Sequence, residues 1–160
     1  MELTELKMEN LDEAFGLYQE AIGEPGCVWD EYYPQKAQIK EDIEEHCLFG
    51  IRDQNGKIMG IVARDRDKDI DGLSCWNKEW MPGAELARLV VAKEYQNRGL
   101  ARLLITKMQK VLKAQGFKSV HYLVAEVNYR ARKSYEKLSF ELKGETDLWG
   151  HHYLCYEKEL

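Results

Sequence analysis

The segment from Glu85 to Gln115 constrains the fold more than any other part of the chain. It begins with an apolar run over 85–91 that favours a β-strand, and it continues after a polar turn into a long stretch with helical spacing. The apolar residues of that stretch fall on one helix stripe, namely Leu100, Leu103, Leu104, Met108, Val111 and Leu112. A strand that leads into an amphipathic helix is typical of an α/β domain, so the segment predicts that fold class.

The turn between this strand and this helix has the sequence Gln96-Asn97-Arg98-Gly99-Leu100-Ala101. The first N–H groups of a helix have no partner within the helix and carry partial positive charge, so they bind phosphate oxygens. Gly99 has no Cβ to keep a ligand away from this backbone, and Ala101 is nearly as small. Taken alone, the pattern fits an ordinary helix start equally well.

A second strand-to-helix junction follows further along the chain. The run 119–125 predicts a strand and 129–138 predicts a helix, with Asn128 at the junction and Tyr135 on the helix. At an isolated position Tyr135 would be interpreted as a core aromatic beside Ala131 and Leu138. In this context its phenol and the Asn128 amide can both face a ligand that is held at the first junction.

Together the two junctions resemble the GNAT superfamily of N-acetyltransferases. The run 89–101 is similar to the acetyl-CoA-binding motif of that family, Q/R-x-x-G-x-G/A, and the run 128–140 is similar to its segment N-x-x-A-x-x-x-Y-E-K-x-G-F. Ser139 replaces the Gly of the second motif, and Ala101 replaces the commoner second Gly of the first. The specific resemblance covers roughly residues 85–141, and the order of elements fits the family throughout the chain.

The resemblance implies an α/β (α+β) fold with a mixed, mostly antiparallel central sheet of about seven strands and about four helices, in a single domain over residues 1–160. The pattern along the chain agrees with this fold. The charged run 64–71 is most simply an exposed loop or edge, and 72–83 has no clear period. The predicted helices cover 11–22, 35–45, 100–115 and 129–138, and the predicted strands cover 3–8, 47–52, 57–63, 85–91, 119–125, 140–143 and 152–158.

Acetyl-CoA is the co-substrate that the resemblance implies. The backbone at Leu89 to Val91 would pair with the pantetheine arm, and the amides from Asn97 to Ala101 would hold the pyrophosphate. Asn128 would hydrogen-bond the pantetheine, and Tyr135 would lie near the sulfur. The implied cofactor-binding set is Leu89, Val90, Val91, Gln96, Asn97, Arg98, Gly99, Leu100, Ala101, Asn128, Ala131 and Tyr135.

Acetyl transfer to an amine requires a base, an oxyanion donor and an acid. A backbone N–H at 89–91 is the expected oxyanion donor, and the phenol of Tyr135 can protonate the leaving thiolate. Glu85 is the first candidate for the base, because strict strand alternation places it on one face with Ala87, Leu89 and Val91. Glu126 is the second candidate. His121 is of the residue type that exchanges protons near neutral pH, although a strand histidine is more often simply packed.

Aromatic and acidic residues cluster before the second predicted helix, which borders the acceptor cleft in the family. Trp29, Asp30 and Tyr33 are therefore the candidate acceptor-binding residues, because aromatic faces and carboxylates suit an ammonium group. The alternative is that Trp29 and Tyr33 anchor this loop to the core. Charge points the same way: residues 85–140 carry twelve Lys or Arg against four Glu in a chain of net charge −5, which favours one anionic and one cationic partner.

The leading hypothesis is an acetyl-CoA-dependent N-acetyltransferase for a small cationic amine. The alternatives are a protein N-terminus or lysine as the acceptor, and a CoA-binding regulatory module without catalysis. A nucleic-acid partner explains neither the Gly99 turn nor the pairing of Asn128 with Tyr135. The family resemblance also admits a homodimer.

Composition and local patterns favour a cytoplasmic protein without a membrane partner. No apolar run approaches the roughly 20 residues of a membrane span, and residues 1–9 lack a secretory pattern. The four cysteines include no C-x-x-C pair, so we expect reduced thiols. No metal is expected either, because His151 and His152 would point to opposite faces of a strand.

Overall fold

In the computed structural model, which describes residues 1–160, seven strands form one sheet. Their order in the sheet is β1-β2-β3-β4-β5-β7-β6, and all neighbours are antiparallel except β4 and β5. The predicted mixed, mostly antiparallel sheet is therefore confirmed. The strands are β1 Leu3–Glu5, β2 Leu48–Arg52, β3 Ile58–Asp65, β4 Gly83–Val91, β5 Ser119–Ala125, β6 Glu141–Leu148 and β7 His151–Glu159.

Helices cover both faces of this sheet. On one face, Leu104 and Met108 pack with Val120 in the larger core; on the other, Tyr18 and Ile39 pack with the strand residue Ile61. Each layer arises from an apolar helix stripe laid on alternate strand residues. None of the helices has the length and hydropathy needed to cross a bilayer. The helices are α1 Leu11–Ala21, α2 Lys36–Glu44, the single turn α3 Lys68–Asp71, α4 Leu100–Ala114 and α5 Tyr129–Glu136.

The segment between β3 and β4 folds onto the sheet instead of forming the exposed loop or edge that its charge predicts. Strand β3 extends to Asp65, and the carboxylate of Asp67 then caps α3. Ile70 and Trp76 are both buried there, and the Trp76 indole donates a hydrogen bond to the Ile70 carbonyl at 2.8 Å. This segment thus covers part of the sheet that α1 and α2 leave open.

A bulge in β4 changes which face its side chains occupy. Ala87 lies opposite Ala63 and Val90 lies opposite Ile61, so an extra residue is inserted, and Arg88 has φ 48°. As a result Leu86 and Leu89 both pack on the α4 side. The predicted face of Glu85 is therefore wrong: Glu85 lies opposite Leu89 and Val91, on the side of Val90.

Strands β4 and β5 pair over only three residues and then diverge. The paired positions are Gly83 with Ser119, Ala84 with Val120 and Glu85 with His121. Beyond them β4 continues to Val91 and β5 to Ala125 without a common ladder. A cleft consequently opens between the carboxyl ends of two parallel strands, where ligands bind in open α/β sheets.

Candidate functional site

The cleft between the diverging strands has a volume of about 1410 Å³. Ligand pockets in proteins are typically about 300–1,000 Å³, so this cleft can hold an extended ligand and a second molecule together. The predicted cofactor-binding and acceptor-binding residues and Glu85 all line it except Arg98, whose guanidinium lies over the Tyr95 ring at 5.7 Å. Glu126 and His121 do not line it.

The cleft side of β4 presents backbone groups that have no partner strand. The N–H of Ala92 donates to the carbonyl of Met59 on β3 at 2.9 Å. Because backbone groups alternate along an extended strand, the N–H groups of Val91 and Leu89 point away from β3 and towards the cleft. An extended ligand that carries amide groups can pair with such an edge as an added strand would.

The N-terminus of α4 opens onto the same cleft. Asn97 and Gly99 have φ 60° and 77°, and the first backbone bond of the helix runs from the N–H of Leu103 to the carbonyl of Gly99 at 3.0 Å. No side chain caps this end and its first turn has no acidic residue. The amides before Leu103 are therefore available to an anion. Basic side chains that line the same cleft are Arg102, Arg130, Lys133 and Lys137.

Gln96 joins three parts of the cleft wall through its side-chain amide. Its Nε2 donates to the Val91 carbonyl at 3.1 Å and to the Glu24 carboxylate at 3.1 Å. Its Oε1 accepts a hydrogen bond from Arg130 at 2.8 Å. These contacts fix the loop after α1 and the start of α5 against β4, while the expected role of Gln96 as a phosphate donor stays a prediction.

Asn128 begins α5 beside the cleft. Its Oδ1 accepts a hydrogen bond from the N–H of Ala131 at 3.2 Å, which caps the helix. Its Nδ2 has no acceptor in the protein and remains free to donate to a ligand. The loop after α1 crosses the cleft here, since a Cβ on Gly26 would lie 3.0 Å from the Cα of Asn128.

Tyr135 lies further along α5 with its ring against that of Tyr122, at a centroid distance of 3.9 Å. The side chain is half-buried, and its hydroxyl makes no hydrogen bond within the protein. Burial raises the pKa of the Tyr135 phenol above its ordinary value. The phenol consequently stays protonated at neutral pH and can donate its proton at the cleft.

Glu85 lines the cleft from the opposite face of β4. The residue is 6% exposed, its carboxyl group has no hydrogen-bond partner, and its Oε2 is fully enclosed. Burial, reinforced by the Asp65 and Asp71 carboxylates, raises the pKa of Glu85 to about 9. Glu85 is therefore protonated at neutral pH, and it can accept a proton only when a nearby cation favours its ionised form.

A buried ion-pair network that the sequence reasoning missed lies beside Glu85. Arg88 donates from Nε and Nη2 to the two Asp42 oxygens at 2.8 Å each, and from Nη1 to Asp65 at 2.7 Å and the Tyr33 hydroxyl at 2.9 Å. Although burial acts to raise it, the Arg88 charge holds the pKa of Asp65 below its ordinary value. The sequence did contain a signal for this network. Arg88 lies within the apolar run of β4, at the point where the alternation of side chains between the two faces of the strand shifts by one residue.

Some of the candidate acceptor-binding residues hold their loop in place, whereas others expose their side chains to the cleft. Trp29 packs edge-on against Tyr18 with centroids 5.4 Å apart, so it anchors its loop. Asp30 accepts hydrogen bonds from the N–H groups of Tyr32 and Tyr33 and thereby shapes the turn. Tyr32 is 71% exposed and lines the cleft. The β6–β7 hairpin, which sequence reasoning did not include, adds the cleft residues Trp149, His151 and Tyr153.

Comparisons with known proteins agree with this architecture. The family model described as "Acetyltransferase (GNAT) family" matches residues 12–140. A crystal structure of a GNAT-family acetyltransferase from Streptococcus agalactiae superposes with a TM-score of 0.79 and 19% identity, over 99% of this chain and 95% of that one. That likeness shows the fold.

Two curated relatives are similar in sequence over part of their length. An uncharacterized N-acetyltransferase from Chlorobaculum tepidum is 33% identical over 102 residues, which cover 63% of this chain and 58% of that protein. A beta-lysine N(6)-acetyltransferase from Methanococcus maripaludis is 24% identical over 106 residues, which cover 66% of this chain and 35% of that protein. This chain thus matches less than two thirds of either relative.

Proposed function

This chain belongs to the GNAT family of acetyltransferases, and from this membership we propose that it transfers an acetyl group from acetyl-CoA to a primary amine. One observation carries the proposal. The unpaired edge of β4, the uncapped N-terminus of α4 and the Tyr135 phenol all line a single cleft. The strand-like edge suits the pantetheine arm of acetyl-CoA, the anion site suits its pyrophosphate, and the acid suits its thioester.

The donor would lie along β4 and end at α4. The N–H groups of Leu89 and Val91, with Nδ2 of Asn128, would pair with the amides of the pantetheine arm. The free amides at Gly99 to Ala101 would hold the pyrophosphate. The four basic side chains that line the cleft would help to neutralise the phosphate charges. The thioester would then lie in the part of the cleft between Tyr135 and Glu85, both of which line it.

The transfer would proceed by direct attack. Glu85 accepts a proton from the acceptor ammonium, and the freed amine forms a C–N bond with the thioester carbonyl carbon. A backbone N–H of β4 stabilises the tetrahedral oxyanion. The C–S bond then breaks, and Tyr135 gives its proton to the thiolate of CoA. The nitrogen loses its second proton as the amide forms, and that proton restores the Tyr135 phenol. Over the full reaction an ammonium and acetyl-CoA yield an amide, CoA thiol and one released proton.

A small cationic amine is the acceptor that the site supports best. Glu85 and Asp65 provide carboxylates at the far end of the cleft, while Tyr32 and Trp149 provide exposed aromatic surfaces that suit an ammonium. The relative from Methanococcus maripaludis is named for acetylating beta-lysine, which carries such a group. Peptide amines are the alternative acceptors, and a CoA-binding module without catalysis is the alternative function.

Calorimetric titration with acetyl-CoA, followed by assay of free-thiol release, tests the proposal. Amines to compare are polyamines, aminoglycosides, amino acids and peptides with free N-termini or lysines. We expect saturable binding of acetyl-CoA and thiol release with a small cationic amine. Binding without thiol release from any amine would support the regulatory module, release with peptides alone would move the acceptor to proteins, and an absence of binding would refute the proposal.

A further inference from the structure

The loop after α1 crosses the cleft as a strap, defined here as residues 22–28. On the β4 side of the cleft, the Glu24 carboxylate accepts a hydrogen bond from Nε2 of Gln96 at 3.1 Å. On the β5 side, Gly26 lies against the start of α5, where an added Cβ would be 3.0 Å from the Cα of Asn128. The strap therefore spans the gap between the two diverging strands.

The contact between Glu24 and Gln96 is the latch of this strap. Nε2 of Gln96 has two hydrogens, and it donates to the Glu24 carboxylate and to the Val91 carbonyl. Oε1 of Gln96 accepts from Arg130 at 2.8 Å, and the Lys93 ammonium lies 3.9 Å from the Glu24 carboxylate. A carboxylate of the protein itself thus engages the polar groups that precede the N-terminus of α4.

Two glycines provide joints within the strap. Gly23 and Gly26 have φ 87° and 81°, conformations that cost glycine little. Gly23 is exposed, and a Cβ on it would meet nothing within 4 Å, so this end of the strap is not packed. Just beyond the strap, Trp29 is anchored edge-on against Tyr18. Movement of the loop is therefore confined to the strap, between α1 and Trp29.

The donor proposed above would pass beneath the strap. Its pantetheine arm would pair with the N–H of Val91 on one side and with Nδ2 of Asn128 on the other, and the strap joins these same two flanks. Its pyrophosphate would lie at residues 99–101, close to Gln96. There it would compete with the Glu24 carboxylate for the Gln96 amide, and the two negative charges would repel each other. The closed latch and the bound pyrophosphate therefore disfavour one another.

We propose that Glu24 holds the strap closed in the free protein and that the pyrophosphate of acetyl-CoA releases it. The inference rests on the proposed use of acetyl-CoA as the donor. Release frees the Gln96 amide for the pyrophosphate and lets the strap lift from Asn128, so the pantetheine arm enters from the side. Since the arm enters only the open form, the apparent affinity for acetyl-CoA is reduced by the fraction of the protein that is open. The latch is thus autoinhibitory.

Glu24→Ala tests the latch through the kinetics of acetyl-CoA binding. We expect the association rate constant to rise and Kd to fall, each by about 3- to 10-fold, because one hydrogen bond of ordinary strength no longer favours the closed form. Surface plasmon resonance measures the rate constants and calorimetry measures Kd. Glu20→Ala is the matched control: Glu20 is exposed on the last turn of α1, so its loss removes the same charge and leaves the latch intact.

Opening of the strap can also be measured without any ligand, through the thiol of Cys27. This residue lies on the strap, is half-buried and lines the cleft, so opening should expose it. We expect iodoacetamide to modify Cys27 at least about threefold faster in Glu24→Ala than in the wild type, since the rate follows the open population. Mass spectrometry of the Cys27 peptide measures the rate. Cys75, which is half-buried in the segment between β3 and β4, is the internal reference.

The outcomes separate the latch from the proposed function. Wild-type binding of acetyl-CoA combined with unchanged rate constants in Glu24→Ala would overturn the latch and leave the proposed function intact. Faster labelling of Cys27 without faster binding would overturn it as well, because strap opening would then not control entry of the donor. An equal gain in Glu20→Ala would assign the effect to net charge alone, which also overturns the latch. A wild-type protein that does not bind acetyl-CoA would refute the proposed function, and the autoinhibitory role with it.

Discussion

Arg88 and Asp42 form a two-pronged ion pair beneath the bulge of β4, with both N–O distances at 2.8 Å and side-chain exposures of 1% and 6%. The two residues come from β4 and α2, so the pair fastens the helix that borders the cleft to the strand that forms its wall. The same guanidinium binds Asp65 and Tyr33. The position of this guanidinium therefore fixes how α2, β3 and the loop at Tyr33 lie relative to β4 at this end of the cleft.

Loss of Asp42 should destabilise the fold strongly. Asp42→Ala leaves Arg88 buried with part of its charge unpaired, which we expect to lower the free energy of unfolding by about 3 kcal/mol. Glu44→Ala is the matched control on the same helix. Its partner Lys40 lies at 3.6 Å with both side chains more than half exposed, so its loss should cost less than about 1 kcal/mol. Urea denaturation of both variants checks the difference, and equal effects would contradict the ion pair's role.

Alanine substitutions of two glycines at opposite ends of α4 distinguish the cost of backbone strain from an effect on ligand binding. Gly99 and Gly116 have φ 77° and 94°, so alanine at either position should cost about 1–2 kcal/mol. Only Gly99→Ala disturbs the amides at the open helix end, and it should weaken acetyl-CoA binding at least about tenfold, or about 1.4 kcal/mol. Calorimetry measures both affinities. A similar loss of affinity in Gly116→Ala would attribute the effect to general destabilisation.

Stability and activity should respond oppositely to Glu85→Gln. Because the folded-state pKa of Glu85 is raised to about 9, its protonated form stabilises the fold fully below the unfolded-state pKa, and that stabilisation is lost as pH rises towards about 9. Glutamine stays neutral and avoids this loss. Its advantage in unfolding free energy should grow from about pH 5 upwards by about 1.4 kcal/mol per pH unit, while kcat falls.

Chemical denaturation at several pH values checks this dependence. Glu126→Gln is its control, since that carboxylate is exposed and should show no growing advantage. A constant difference between Glu85→Gln and the wild type across the pH range would contradict the burial of an ionisable carboxyl group at this site.

Tyr135→Phe should impair chemistry without impairing binding or folding. The hydroxyl makes no hydrogen bond in the protein, and the packing against Tyr122 belongs to the ring. We expect kcat to fall about 100-fold, with acetyl-CoA affinity and the midpoint of thermal unfolding retained. Tyr129→Phe, on the same helix and 66% exposed, should retain full activity. Retained activity in Tyr135→Phe would remove the phenol from the mechanism.

Features that depend on neighbouring residues could be predicted from the sequence. The Gly99 turn, the stripe of α4 and the junction at Asn128 are each local, and the structure brings them to one cleft. Strict alternation misplaced Glu85, because the bulge at Arg88 depends on how β4 pairs with β3. The pair of Arg88 with Asp42 likewise joins positions far apart in the chain.

The segment between β3 and β4 shows a second limit of prediction from the sequence. Residues 72–83 have no period because a short 3-10 turn at Lys78–Trp80 and the buried indole of Trp76 hold them, and neither produces a repeat. Asp71 lies in the charged run that predicted an exposed loop. Its 2.8 Å contact with the buried ring of His121 joins positions far apart in the chain, so no local pattern indicates it.

The three-residue seam between β4 and β5 has a consequence for the lifetime of the protein. Residues before the seam build one half of the sheet and residues after it build the other, so few backbone bonds hold the halves together. A donor molecule lying in the cleft beyond the seam would add contacts between the two halves and stabilise the native state by mass action. On the proposed function, resistance to proteolysis would then follow the supply of acetyl-CoA, and abundance of the protein would report the metabolic state of its cell.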